Sequence, residues 1–326
     1  ISSYGRPVGM RSPGARMRFG RLRVLRIEGI VPATSSASGL GYTVHSFNGV
    51  SRKAVLAVTT QLELEARYAG VVSAKAAAFV YADHVASLCA HSGVMGSGDV
   101  LIDMIGGAGL RVADVRSVAA DVHDAGGRLF ADITVPSHFG CHAFDLGVDV
   151  QLEALDRIAA GRLSRKVVAV SSRGVLPVAG DRLSAADLDA IAQGLDSAPE
   201  RMQRHFDHAR ALAEYLSCCE GLGLVAYPGL PCHPDHDLAT RVLMHGFGPA
   251  VDFELPEQWG VTAGEFIERC ELNGRARPAG GRHTRLHARD GADGRAVRIF
   301  AGLDNPLVIA DDLDQAMRWF CNPPEP

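Results

Sequence analysis

Residues 126–172 read GGRLFADITVPSHFGCHAFDLGVDVQLEALDRIAAGRLSRKVVAVSS. The opening RLFADIT is a short apolar run closed by one acidic residue. That pattern predicts a strand buried on both faces, with Asp132 presented at its carboxyl end. Ligands of open α/β sheets bind at that end. GVDVQLEAL makes a second apolar run after a turn-rich connection, and KVVAVSS makes a third. Their spacing predicts three neighbouring strands of one sheet.

Working outward, helix-like and strand-like segments alternate on the N-terminal side. QLELEARYAG, SAKAAAFVYADHVASLCAHSGV, GSGDVLID and LRVADVRSVAADVHDAGG follow one another from residue 61 to residue 127. A βα alternation implies a mostly parallel sheet covered on both faces. On the other side, residues 183–223 read as helix, with Ser184 as N-cap, Pro199 as an interruption and Gly221 as a stop. Beyond them YPGLPCHPDHDLA, GFGPAVDFELP and AVRIFAGLDNPLVIADDLDQAMRWF predict a smaller α/β domain.

These motifs resemble the pyridoxal-phosphate enzymes of cysteine and methionine metabolism, the transsulfuration family of cystathionine synthases and lyases. The resemblance runs from about Thr43 to Trp319. It implies a fold-type-I-like large domain with a mostly parallel sheet and a smaller C-terminal α/β domain. Expected boundaries are an Arg-rich, disordered segment over 1–40, the large domain over 41–196 and the small domain over 197–326.

Carried over residue by residue, the resemblance makes Asp132 the partner of the cofactor's ring nitrogen, with Thr134 beside it. Counting on from Gly147, the family's phosphate-binding serine and threonine fall on Ala154 and Asp156, and the Schiff-base lysine falls on Arg157. A guanidinium stays protonated and cannot be the nucleophilic amine that a Schiff base needs. The family's phosphate turn falls on Tyr81, Ala82, Asp83 and His84. A helix N-terminus favours an anion by about 0.3–2 kcal/mol. A carboxylate about 4 Å away opposes it by roughly 4 kcal/mol at an effective dielectric of 20. The tyrosine and arginine that family members draw from a neighbouring subunit fall on Thr43 and His45, and the segment with the ring-stacking tyrosine has no counterpart between GDVLID and LRVADV. Arg298 keeps the place of the arginine that binds the substrate carboxylate.

From these replacements no cofactor is expected, and Arg157 is expected to turn into the vacated pocket and pair with Asp132 or Asp83. Of the three lysines, Lys53 lies in the entry segment, while Lys75 and Lys166 are read as lying at the sheet end away from the pocket. None is expected to take over. The Cys/His runs at residues 232–236 and 283–287 lack a second ligand pair and predict no metal site. GGAGLR near Gly106 is too loose for a nucleotide loop.

At 326 residues, 47% hydrophobic and 21% charged, the composition is that of an ordinary globular protein. A net charge of -4 argues against general nucleic-acid binding, and no apolar run has the length to cross a bilayer. Seven scattered cysteines without a secretory signal predict a reduced, cytoplasmic setting. The missing initiating Met points to a start inside a longer product. Three readings follow. The first is a non-catalytic family member assembling with itself or with an intact paralogue. The second is a working carbon–sulfur lyase or γ-replacement enzyme. The third is a cofactor-free binder of an amino or keto acid through Arg298.

Overall fold

The structure is a computed structural model that describes residues 60–91, 93–271, 280–289 and 292–321. The Arg-rich segment, Thr43, His45 and Lys53 lie outside the described residues.

In chain order the elements are α1 (Gln61–Val71), β1 (Ala76–Tyr81), α2 (Val85–Cys89), β2 (Val100–Asp103), β3 (Ile105–Gly106), β4 (Arg111–Val112), α3 (Val115–Asp124) and β5 (Leu129–Asp132). Then come α4 (Ser137–Gly140), β6 (Val150–Ala154), β7 (Val167–Ser172), the long α5 (Ala185–Ser217), β8 (Val225–Ala226), α6 (His236–Val242) and β9 (Ala250–Glu254). The chain continues through α7 (Ala263–Arg269), β10 (Arg285–Ala288) and β11 (Ala296–Phe300) into α8 (Pro306–Cys321).

The main sheet has the order β1-β7-β6-β5-β2. The three strands read from residues 126–172 are adjacent, as expected. β2, β5 and β6 are parallel, whereas β7 runs antiparallel to both of its neighbours. The sheet is therefore mixed, and the start of β7 lies level with the ends of β1 and β6. Side chains alternate across a strand. Phe130, Leu152, Val168 and Val170 meet Val85 and Leu88 of α2 on one face. On the other, Phe79, Val167 and Ala169 pack against Leu64 and Tyr68 of α1 and Ile191 and Leu195 of α5.

A second, antiparallel sheet has the order β10-β11-β9-β8. Its core takes Leu212, Ala213 and Leu216 from the far half of α5, together with Phe266 and Leu313. Thus α5 belongs to both cores. The expected break at Pro199 does not occur, because both halves of the helix are buried while Pro199 itself is exposed. A proline removes one helix bond and crowds the preceding turn. In that turn Ser197 Oγ and Arg201 Nη2 donate to the Gly194 carbonyl.

Gly194 also sets how closely α5 approaches the turn after β6. A Cβ there would stand 2.1 Å from the carbonyl oxygen of Ile158, next to Arg157. Helix propensity alone favours alanine over glycine by about 1 kcal/mol, but backbone cannot yield as a flexible side chain can. Gly194→Ala is expected to destabilise the protein by roughly 1–3 kcal/mol. Denaturant unfolding of the two proteins reads the sign directly.

Candidate functional site

The ends of β1, β6, β5 and β2 bring Tyr81, Ala154, Asp132 and Asp103 to one end of the main sheet. Asp132 stands beside Asp103 in the β5–β2 register. Its Oδ1 accepts the Thr134 amide at 2.8 Å, and Thr134 Oγ1 accepts the Ala154 amide at 2.9 Å. Thr134 thereby ties the end of β5 to the end of β6. Burial pushes the Asp132 carboxyl up to about 6, against the hydrogen bonds from Thr134 and with the help of Asp103 and Glu153.

Arg157 lies in the turn after β6 and is 7% exposed. Its charge interacts with those of Glu153 and Asp156, with no ion pair formed to either, and its guanidinium carbon sits 5.6 Å from the centre of the Phe300 ring. Its Nε has no hydrogen-bond partner among the described residues. Burial lowers the guanidinium to about 10, against the pull of Glu153 and Asp156. The expected pairing with Asp132 or Asp83 is not formed. Asp132 shares the α2 face with Phe130, whereas Glu153 points to the α1 side of the sheet, where Tyr68 is buried. Asp83 and His84 are both exposed, and His84 is the N-cap of α2. Burial also raises Asp156, against Lys166, Arg157 and Arg285.

Lys166 is corrected by the direction of β7. Because that strand is reversed, the residue before it sits at the Asp132 end of the sheet, and its carbonyl accepts the Ala82 amide at 3.2 Å. It lines a cleft with Tyr81, Ala82 and Asp83. Lys75 pairs through its amide with Ser172 at the opposite end, as read from the sequence.

Arg298 is already engaged. Asp252 receives its Nε at 2.6 Å and its Nη2 at 2.8 Å, and also takes Arg289 Nη1 at 2.8 Å and the Gly109 amide at 3.2 Å. A second bond from Arg298 Nη2 reaches the Gly107 carbonyl at 2.8 Å. The carboxylate that the resemblance assigns to a substrate is here supplied by the chain itself. The Cys/His runs are likewise occupied. His233 Nε2 meets the Gly109 carbonyl at 2.8 Å, His236 Nδ1 the Pro228 carbonyl at 2.9 Å and His283 Nδ1 the Asp304 carboxylate at 2.9 Å. No cluster suited to a metal occurs among the described residues.

Sequence reasoning missed the buried carboxylate of Glu153, which accepts Tyr68 Oη and lies 2.8 Å from His138 Nδ1. The signal was present in VDVQLEA, where Gln151 and Glu153 interrupt the inward-facing positions of a buried strand. Burial lowers His138, but the charge of Glu153 and the hydrogen bond to it prevail and raise it. His205 of α5 was also missed. It is 1% exposed, and neither ring nitrogen has a partner among the described residues.

With this geometry in place, comparison with known proteins decides the family. The family model for Cys/Met metabolism PLP-dependent enzymes matches residues 97–318. The chain belongs to this family. Cystathionine gamma-lyase of Dictyostelium discoideum is 27% identical over 238 residues, covering 64% of this chain and 59% of the relative. O-succinylhomoserine sulfhydrylase of Pseudomonas aeruginosa is 30% identical over 232 residues, covering 63% and 55%. The chain thus spans less than two thirds of the length of these curated relatives. In fold it is similar to a methionine gamma lyase from Micromonospora echinospora, with a TM-score of 0.69 and 24% identity over 79% of this chain and 86% of that one.

The expectation of no cofactor is overturned here, since the matching family is PLP-dependent. Tested against pyridoxal phosphate, the residues fit at one point and not at another. Asp132 offers the ring nitrogen a half-buried carboxyl, while Arg157 cannot supply the amine of a covalent anchor. Asp83 and His84 lie upstream of the matched stretch. No described helix is long and apolar enough to cross a membrane.

Asp132 gives this cradle a pH signature. A carboxyl raised from its usual value near 3.8 to about 6 contributes most stability while protonated, and that contribution is lost as pH rises through about 6. Asp132→Asn keeps the acceptor for the Thr134 amide and removes the ionisation. It is expected to match the parent below pH 4 and to exceed it by on the order of 2 kcal/mol above pH 7. Melting temperatures of both proteins across that range test this.

Proposed function

We propose that this chain is a non-catalytic member of the Cys/Met metabolism family, linked to sulfur amino-acid metabolism. One observation carries the reading. At the position that counting from the resemblance assigns to the family's lysine stands Arg157, 7% exposed, in the turn after β6. Covalent capture of an aldehyde needs an amine that can lose its proton, and a guanidinium keeps its own at any working pH. The family's cofactor supplies an electron sink for bonds at the substrate's α-carbon when it is bound. In this chain Asp132 can hold a proton toward a ring nitrogen, and Thr134 fixes that carboxyl against β6. Nothing at position 157 can take a proton from a substrate carbon. In this reading the chain acts through subunit contacts, with a second copy or with an intact relative.

A second reading, a working carbon–sulfur lyase, draws support from Lys166, an exposed amine brought to the Asp132 end of the sheet by the reversed strand.

Purified protein supplied with pyridoxal phosphate and assayed with cystathionine, methionine and O-succinylhomoserine plus a thiol separates the two. The expected result is no release of 2-oxo acid, thiol or succinate above the protein-free rate, from the parent or from Arg157→Lys. Borohydride reduction followed by peptide mapping supplies an independent readout. Turnover together with a pyridoxyl label on Lys166 favours the second reading and sinks the first.

A further inference from the structure

The main sheet covers one of its edges and leaves the other bare. On the outer side of β1, the Phe79 amide reaches Glu65 Oε1 at 3.1 Å, the Phe79 carbonyl accepts the Asp181 amide at 2.9 Å, and the Tyr81 amide reaches Asp181 Oδ2 at 2.8 Å. The opposite edge is β2. Val100 and Met104 donate to the Arg128 and Asp132 carbonyls at 3.0 and 2.9 Å, so alternate residues from Val100 onward face β5. Leu101 and Asp103 therefore turn their N–H and C=O groups outward, where neither meets a partner among the described residues.

That edge is mostly apolar. Val100 is 38% exposed, and Leu101 and Ile102 are half-buried. Edge strands are commonly blunted by lysine, proline or a bulge, and VLID, paired to β5 without interruption, has none of them. Ile102 joins Met104 in the α3 core, while Leu101 lies on the α2 face with Phe130. On that face the Arg128 guanidinium carbon stands 5.1 Å from the centre of the Phe130 ring. Arg128 gives Nε and Nη2 to Asp99 at 3.2 and 2.6 Å, which leaves the second arm of its fork for another acceptor. At the other end of the strand Asp103 is exposed. An acid at one end and a basic fork near the other meet when two identical strands run antiparallel.

We propose that β2 is a dimer seam, at which two copies of this chain pair antiparallel and continue the main sheet across a twofold axis. The outward groups fix the register, because only residues that both face outward exchange N–H···O bonds. Leu101 set against itself leaves Asp103 unpaired, and Asp103 set against itself opposes two carboxylates. Leu101 opposite Asp103 of the second copy uses both, and the axis then passes through Ile102. This register sets Ile102 against its own counterpart and Val100 against Met104 on the α3 face. On the α2 face it brings Asp103 beside Leu101 and toward Arg128. The seam gives a surface to the subunit contacts proposed above, and a catalytically active chain has the same edge, so assembly and turnover are tested separately.

Light scattering on the full chain over a range of concentrations, for the parent and Asp103→Pro, is the first test. A proline at 103 removes an outward N–H and leaves the bonds to β5 in place. The parent is expected to dimerise, and the variant to do so at least roughly tenfold more weakly. Ile102→Cys treated with oxidised glutathione is the second. Facing Cα atoms of a non-hydrogen-bonded pair stand about 4.5 Å apart, within disulfide reach. A disulfide joining residue 102 of both copies is expected by non-reducing peptide mapping, with none at residue 101 in Leu101→Cys and the parent giving the background from its own cysteines. A monomer at every concentration, a dimer that Asp103→Pro leaves unchanged, or linkage through Leu101→Cys in place of Ile102→Cys overturns the proposal. Slow hydrogen exchange of the Leu101 and Asp103 amides in a monomer means that the chain covers its own edge, and overturns it as well. Should Asp103→Pro not fold, the two cysteine variants decide.

Discussion

A single buried carboxylate fixes the helix on which both halves of the structure depend. Asp187 has no solvent exposure and accepts Ser164 N at 2.6 Å, Ser164 Oγ at 2.8 Å, Ser184 Oγ at 2.7 Å and Tyr81 Oη at 2.9 Å. Burying a carboxylate costs several kcal/mol, and each hydrogen bond to a charged group returns about 1.5–3. Burial raises Asp187, yet the bonds from Ser164, Ser184 and Tyr81 outweigh it and leave the carboxyl below its usual value. The end of β1, the approach to β7 and the first turn of α5 are thereby fastened at one point. From there α5 runs along the main sheet, passes Gly194 against the Arg157 turn, presents Arg201 and His205, and enters the second core at Leu212. The position of the candidate site follows from where this helix starts.

Much of this was legible in the sequence because apolar periodicity and chain order carry it. The three strands in residues 126–172, the place of Asp132 at a strand end and the cap at Ser184 all follow from local pattern. Strand direction does not. A period of two is the same read either way, so KVVAVSS gave no sign that β7 is reversed, and Lys166 was assigned to the wrong end. Pro199 misled for a related reason. The local cost of proline was visible, while the two cores that hold α5 together across it are tertiary. Partners distant in the chain were also hidden. Asp252 and Arg298 are 46 residues apart, and only their antiparallel register on β9 and β11 brings them face to face.

The family match and the residue replacements answer different questions. The match spans residues 97–318, and what it carries is the family and its class of cofactor. The assignment of residue 157 to the family's lysine is part of the proposed reading and concerns one functional group. Whatever that position does, Asp132 stands at its strand end with Thr134 bracing it. The expectation of no cofactor rested on several replacements read by counting along the chain, and the match of residues 97–318 to a PLP-dependent family overturned it.

Residue 157 is better understood together with residue 153. A buried arginine without a counter-charge loses more solvation than packing can return, and the same holds for a buried glutamate. Here each mitigates the other: Glu153 supports the guanidinium electrostatically, while Tyr68 and His138 both meet its Oε2. Removing either charge alone leaves its partner stranded in the α5 face, so the two positions form one unit. That unit faces away from Asp132 and toward His205. The polar chemistry this chain has built around the turn after β6 is thus on the side of the sheet where Asp132 is not.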